Sequence, residues 1–204
     1  MHQLQLCFWL IGMSVLPVAT ANAVERLIAQ VPEGWVMGVD STVGELKVQE
    51  FFPPDTESYW EQKIVYESLT TDVLPEPLEY SQALADRQAE RCEAFSANDV
   101  FVGFENQYPT VVSVLECGLA KLTGKPLVTM VKIIQGNQSI YTVNRIWRLE
   151  PRIDGEIDAG TDAKPKVVSD PAALIPKAEF AAWSQTLRDI VLCDTSLAAH
   201  PCGK

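Results

Sequence analysis

Hydrophobic and polar residues alternate along the first part of the chain, as they do in strands that bury one face. In the run "ELKVQEFF" (45–52), Leu46 and Val48 point to one side and Lys47 to the other, and two prolines end the run. The same alternation predicts two further strands in this region, over residues 35–39 and 60–69.

The pattern then changes to the three-to-four-residue spacing of an amphipathic helix, over residues 75–95. Pro77 suits the first turn of a helix, and the helix is expected to end near Asn98. Its apolar residues form one stripe, which predicts that they face the sheet: Tyr80, Leu84, Cys92 and Phe95.

Four more apolar segments with strand character follow this helix. The connections between them are short, such as Gly136-Asn137, and short connections favour antiparallel pairing of consecutive strands. The predicted strands cover residues 100–106, 110–118, 126–134 and 139–149.

The composition shifts after Pro151. Residues 151–175 are rich in Asp, Gly, Pro and Ala without a steady period, which predicts an acidic flexible linker. A second helix is predicted over residues 176–193, with one buried stripe: Phe180, Trp183, Leu187 and Ile190.

These elements predict an α+β fold. It consists of an antiparallel sheet of six or seven strands with two packed helices, in the order β-β-β-α-β-β-β-β-α. Residues 24–150 form the core. The C-terminal helix and a disulfide-tied tail, residues 176–204, pack back on it.

The N-terminus predicts export. An apolar run over residues 4–18 is too short for a comfortable membrane span and is followed by Ala21-Asn22-Ala23, the pattern of a signal-peptide cleavage site. No Lys or Arg precedes the run, which departs from the usual basic start of such signals. Residues 1–23 are therefore interpreted as a signal peptide, and the mature chain is expected in the periplasm or outside the cell, with no stable membrane span.

Cysteine usage agrees with export. Beyond Cys7 there are four cysteines, an even number suited to an oxidising compartment, and four cysteines allow three pairings. The C-x-x-C spacing that would indicate a metal site is absent from the sequence. Local structure favours the pairs Cys92–Cys117, which would join the first helix to the sheet, and Cys193–Cys202.

The charge balance argues against two classes of partner. The chain has 16 basic and 27 acidic residues, a net charge of −11, and no basic cluster. Binding to nucleic acid or to an anionic membrane depends on concentrated Lys and Arg, so neither is expected.

Most catalytic motifs are absent. His200, the one histidine beyond the predicted signal peptide, lies in the tail, and no G-x-S-x-G motif accompanies it. The segment "GLAKLTGKPL" (118–127) differs from a phosphate-binding loop, because five residues separate its glycines and Pro126 replaces the hydroxyl residue. No cofactor is expected.

Carboxylates leave two alternatives open. A hydrolase could work through a pair of acids, with Glu50, Glu61, Glu67 and Glu116 as the candidates. A loose calcium site could form at Asp154, Glu156 and Asp158, although the glycine and glutamate that an EF-hand loop requires are missing. No metal site is predicted from the spacing itself.

The last predicted strand carries the candidate binding residues. Tyr, Trp and Arg are enriched where proteins bind one another, and the segment "IIQGNQSIYTVNRIWR" (133–148) ends in such residues. The same side chains also shield sheets, so packing is the competing interpretation. The hypothesised binding residues are Tyr141, Arg145, Trp147 and Arg148.

One resemblance supports this outline. The run "VQEFFPPDTESYWEQKIVYESL", a helix with a Cys, the strand "VLECG" and the closing "YTVNRIWR" resemble small uncharacterised exported proteins of Gram-negative bacteria. The resemblance covers residues 45–149 and implies no activity. The order of elements is also similar to that of PsbP/Mog1-like domains, which is an analogy of fold alone.

The sequence therefore favours an exported binding or accessory protein without enzymatic activity. It would act on a protein partner in the bacterial envelope, in a secretion-associated or immunity-type role, and its acidic surface would steer it to a basic target. The alternatives are a carboxylate-dependent hydrolase and a calcium-dependent binding module.

Overall fold

The computed structural model describes residues 25–54, 61–150, 167–195 and 202. The predicted signal peptide and residues 151–166 of the predicted linker lie outside the described residues. Neither helix in the described ranges is long and apolar enough to cross a membrane.

Nine strands and two α-helices make up the described part of the chain. A short 3-10 helix, Pro171–Leu174, precedes the second α-helix. The elements are β1 Glu25–Ile28, β2 Val36–Val43, β3 Leu46–Phe52, β4 Gln62–Thr70, α1 Pro77–Ala89, β5 Cys92–Glu105, β6 Tyr108–Ala120, β7 Leu127–Gln135, β8 Ser139–Arg148, α2 Lys177–Asp189 and β9 Val191–Asp194.

The main sheet has seven strands in the order β2-β3-β4-β8-β7-β6-β5, and all neighbours are antiparallel. The strands β1 and β9 form a separate antiparallel pair. This arrangement confirms the predicted α+β class and the predicted order of the main elements. The terminal strands β1 and β9 were not predicted, since each has only four residues.

Each helix covers one face of the sheet. The first face packs against α2 and the residue before its N-terminal proline, Ile175, with a core that includes Trp147 and Trp183. The opposite face packs against α1, whose Tyr80 and Leu84 contact buried aliphatic residues of the sheet: Leu115, Val131, Ile133 and Ile140. Because both faces are covered, the middle strands are apolar on both sides, as strands buried on both faces are.

The predicted first helix was too long. It ends at Ala89, and Cys92 begins β5, which continues through Asn98 to Glu105. The three-residue spacing of Cys92 and Phe95 is typical of a helical stripe. In the strand, Ala94 has a φ of 55° and falls outside the pairing with β6, an irregularity that the spacing does not predict. These residues form a strand because pairing with β6 gives partners to their main-chain N–H and C=O groups.

The second helix was also predicted too long, because it ends at Asp189 and Cys193 lies on β9. The described end of the predicted linker, residues 167–175, packs on the sheet. Val168 donates its main-chain N–H to the carbonyl of Gly118 at 3.0 Å, and Ile175 is buried.

Both predicted disulfides are confirmed: Cys92 is bonded to Cys117 and Cys193 to Cys202. The position of the first bond differs from the prediction. It joins the neighbouring strands β5 and β6, one of them at the edge of the sheet, and does not attach α1 to the sheet.

We expect the Cys92–Cys117 bond to contribute more stability than the Cys193–Cys202 bond. The bonds close loops of 25 and 9 residues, for which loop entropy gives about 3.5 and about 2.6 kcal/mol. Urea unfolding of C92A/C117A and C193A/C202A tests this order. A smaller loss of unfolding free energy in C92A/C117A would contradict it.

Candidate functional site

Two of the four hypothesised binding residues are inside the protein. Trp147 and Arg145 are 1% and 5% exposed and lie on the face that α2 covers. Tyr141 and Arg148 are half-buried.

The Arg145 guanidinium lies among three tryptophans. Its central carbon is 4.2 Å from the ring centre of Trp35, 5.0 Å from that of Trp147 and 5.9 Å from that of Trp183. A cation at these distances is attracted by the faces of the rings. Burial lowers the pKa of Arg145, and the facing carboxylate of Glu179 opposes that shift.

One carboxylate ties this cluster to the helix. Glu179, in the first turn of α2, accepts hydrogen bonds from Trp147 Nε1 at 2.6 Å and from Arg145 Nη2 at 3.1 Å. Arg145 Nη2 also donates to Gln62 Oε1 at 2.7 Å. These contacts dock α2 on β8, so they support the packing interpretation for Arg145 and Trp147. A binding role for the four residues stays a prediction.

Tyr141 connects the sheet to the N-terminal strand. Its hydroxyl donates to Glu25 Oε2 at 3.4 Å, and the other oxygen of Glu25 accepts the main-chain N–H of Asn137 at 2.6 Å. Burial, and then the negative charge of Glu25, raise the pKa of Tyr141 to about 12. Arg148 points to the opposite face and lines a cavity beside α1.

Lys132 is a buried charge that the sequence analysis did not single out. Its amine donates to the carbonyls of Leu187 and Ile190, at 2.6 Å each, and pairs with Glu105. It therefore satisfies carbonyls at the C-terminal end of α2, where a helix leaves acceptors without partners. Burial lowers the pKa of Lys132, whereas Glu105 opposes the shift. In the sequence, Lys132 is the one charged residue in the apolar run "LVTMVKII" (127–134), and this isolation is the signal by which it could have been found.

The candidate catalytic carboxylates are engaged separately. Glu50 pairs with Lys63 at 2.6 Å, Glu67 accepts from Thr142 at 2.7 Å, and Glu116 accepts the main-chain N–H of Ala172 at 3.2 Å. Glu61 is exposed. These contacts bind strands, helix and loop to one another.

No cluster of metal-binding side chains occurs within the described ranges. The calcium candidates Asp154, Glu156 and Asp158 lie outside them, as does His200.

Strand β5 carries an exposed apolar surface. This strand is at the edge of the sheet and, in the described part of the chain, pairs with β6 alone. Its central run "VFVGF" (100–104) contains no charged residue, and Val102 and Phe104 are 58% and 72% exposed. We call this run the β5 surface.

An apolar groove adjoins the β5 surface. It has a volume of about 410 Å³ and lies between β5 and α2, with Val100, Phe101, Val112, Met130 and Phe180 among its walls. The phenyl ring of Phe101 lies over Gly103. A Cβ added at Gly103 would be 3.0 Å from this ring. The groove opens on the face of β5 that carries Phe101, whereas Val102 and Phe104 lie on the opposite face, so exposed apolar side chains occur on both sides of this edge.

No family model matches the chain, and no curated protein matches it. Among solved structures it is similar to a mutant form of the protein Mog1, with a TM-score of 0.50 and 14% identity, covering 85% of this chain and 98% of that one. This likeness confirms the predicted Mog1-like order of elements and shows the fold alone.

Two further structures are more distant. LpqN, involved in cell envelope biogenesis of Mycobacterium tuberculosis, has a TM-score of 0.42 and 13% identity over 77% of this chain and 83% of its own. A protein of unknown function from Pseudomonas aeruginosa has a TM-score of 0.41 and 11% identity over 82% and 96%.

We expect Lys132→Met to destabilise the fold by about 3 kcal/mol, because it leaves two helix carbonyls and the Glu105 carboxylate without their buried partner. Lys63→Met is the matched control. The ion pair of Lys63 with Glu50 is partly exposed, so the variant is expected to lose no more than about 1 kcal/mol of unfolding free energy. Urea unfolding measures both, and equal losses would contradict the assignment.

Tyr141 is expected to make the fold sensitive to alkali. Its pKa is about 12 in the folded chain and about 10 when unfolded, so the folded state retains a proton that the unfolded state releases between these values. The contribution of Tyr141 to the free energy of unfolding is therefore fully present below about pH 10 and is lost as the pH rises toward 12. Tyr141→Phe should make this fall shallower in urea unfolding curves recorded from pH 9 to 12. An unchanged slope would contradict the prediction.

Proposed function

We propose that this protein is an exported, non-enzymatic binding protein that recruits a protein partner in the bacterial envelope through the β5 surface. The observation that carries this proposal is the uncharged, exposed apolar run on the outer strand of the sheet. The acidic balance of the chain favours a partner with a basic surface.

Edge strands in proteins are normally protected from pairing. Charged residues, prolines and bulges are the usual means. The β5 strand has a bulge between Asp99 and Phe101 but no charge or proline within the five residues that follow Asp99.

The flanking acids do not shield the β5 surface. Asp99 accepts a hydrogen bond from Ser113 at 2.6 Å, on the side of α1, and Glu105 pairs with buried Lys132. Both carboxylates have partners within the fold, although Asp99 itself is exposed, and the five residues between them carry no charge.

The geometry suits a partner in an extended conformation. An extended segment can add to a sheet edge by main-chain hydrogen bonds, while pockets receive its alternate side chains. Here the edge of β5 would supply the main-chain groups, and the groove between β5 and α2 would receive apolar side chains. An exposed apolar patch of this kind is typical of an interaction site.

Paired variants test the proposal on protein purified after export. V102K/F104K places two cations on the β5 surface, and V36K/V43K does the same on β2, the opposite edge of the sheet. The replaced side chains of β2 are 54% and 76% exposed, which matches those of β5. All three proteins capture partners from an envelope extract, and the dissociation constant of each purified partner is then measured.

The expected result is a stoichiometric partner whose affinity falls at least about tenfold with V102K/F104K, since hot-spot side chains contribute more than about 1 kcal/mol each. V36K/V43K should bind as the unchanged protein does. Hydrogen exchange should show new protection of β5 amides in the complex. Binding that survives V102K/F104K, loss with V36K/V43K alone, or no partner at all would each contradict the proposal.

A further inference from the structure

A second cavity lies on the other face of the sheet, beside α1. It has a volume of about 650 Å³, within the range of sites that bind small molecules. Its walls come from the end of α1, from β3, β4 and β8, and from the turn between β6 and β7. It shares no wall residue with the β5 groove.

Positive charge converges on this cavity in an otherwise acidic chain. Arg87 lines it from the end of α1, Arg91 from the turn that follows α1, and Arg148 from the sheet. The chain as a whole has a net charge of −11. Among the described residues, Glu67 is the one carboxylate in the wall, so three cations face one anion there.

Arg87 and Arg91 have no carboxylate partner among the described residues. Arg87 Nε donates to the carbonyl of Ala83 at 3.2 Å, and the positive charge of Arg87 lies close enough to the phenol of Tyr80 to oppose the rise in its pKa that burial causes. These two contacts orient the guanidinium and leave further N–H groups for a ligand. Five donors in a planar fork suit carboxylate and phosphate.

The remaining polar wall groups agree with an anion. Glu67 accepts hydrogen bonds from Thr142 at 2.7 Å and Asn144 at 3.5 Å, which holds its carboxylate against the sheet. The side-chain nitrogen of Gln88 is buried and has no hydrogen-bond partner. A buried donor without a partner is costly, and an anionic oxygen in the cavity would satisfy it.

Most of the rest of the wall is apolar. Five leucines contribute, from α1, the sheet and the turn after β6: Leu46, Leu69, Leu84, Leu122 and Leu127. A small inorganic anion would leave this apolar surface against water, whereas a hydrocarbon chain would cover it.

We propose that this cavity binds an amphipathic anion, with a carboxylate or phosphate head held by Arg87, Arg91 and Gln88 and a hydrocarbon body against the leucines. The site is separate from the β5 surface, and the proposal does not depend on the proposed function. The anion could be free in solution or the head and chain of a lipid, which share this chemistry.

Calorimetric titration with monomeric decanoate is the first test, with acetate and inorganic phosphate as probes that lack the hydrocarbon chain. Decanoate is expected to bind one to one and saturably, at least tenfold more tightly than either small anion. Phosphate binding as tight as that of decanoate would overturn the assignment of an apolar body.

Matched charge variants locate the binding. R87Q/R91Q is expected to weaken decanoate binding at least tenfold. R26Q/K177Q removes the same charge from an exposed arginine and an exposed lysine, neither of which lines the cavity or the β5 groove, and should bind as the unchanged protein does. Circular dichroism checks that each variant is folded. No saturable binding, or equal loss in both variants, would overturn the proposal.

A vesicle arm distinguishes the two sources of the anion. Cosedimentation with phosphatidylglycerol vesicles that R87Q/R91Q abolishes would support the site with a lipid as its ligand. Decanoate binding without cosedimentation would support it with a free anion. Cosedimentation that both variants retain, without decanoate binding, would overturn the cavity as the binding site.

Discussion

The central strands of the sheet are buried on both faces, and the rest of the architecture depends on that constraint. Seven consecutive residues of β7 are buried, from Val128 to Ile134. A sheet of this kind is stable in water only when a layer covers each face. The helices α1 and α2 supply those layers, although neither is itself strongly apolar.

Burial on both faces also favours pairing of the polar groups inside, and several of these pairs hold the layers in place. Lys132 and Arg145 attach the two ends of α2, through the carbonyls of its last turn and the carboxylate of its first. On the other face, the hydroxyls of Ser81 and Ser113 share a 2.8 Å hydrogen bond that joins α1 to the sheet. Such contacts fix one arrangement of helix on sheet, because sliding either layer would leave a buried charge or hydroxyl without its partner.

Two exposed features lie outside this layered core. Val102 and Phe104 are exposed to water, and Arg87 and Arg91 lack acidic partners among the described residues of an acidic chain. Both features lie at the margins of the layered core, one on an edge strand and one beside the end of α1. Binding surfaces can occupy such margins without loss of the packing that the fold requires.

The sequence by itself determined the class of fold and the order of the main elements, because alternation, helical spacing and short connections are local properties. It also favoured the two disulfide pairs that form, but placed Cys92 on a helix. It predicted strand character for the "VFVGF" run but not its place at the sheet edge, since edge position depends on which strands pair. Only the tertiary structure decided that Cys92 belongs to a strand, that Arg145 and Trp147 are interior and that Lys132 closes a helix. Each of these outcomes rests on contacts between residues far apart in the chain, and periodicity along one segment carries no information about the partner that completes them.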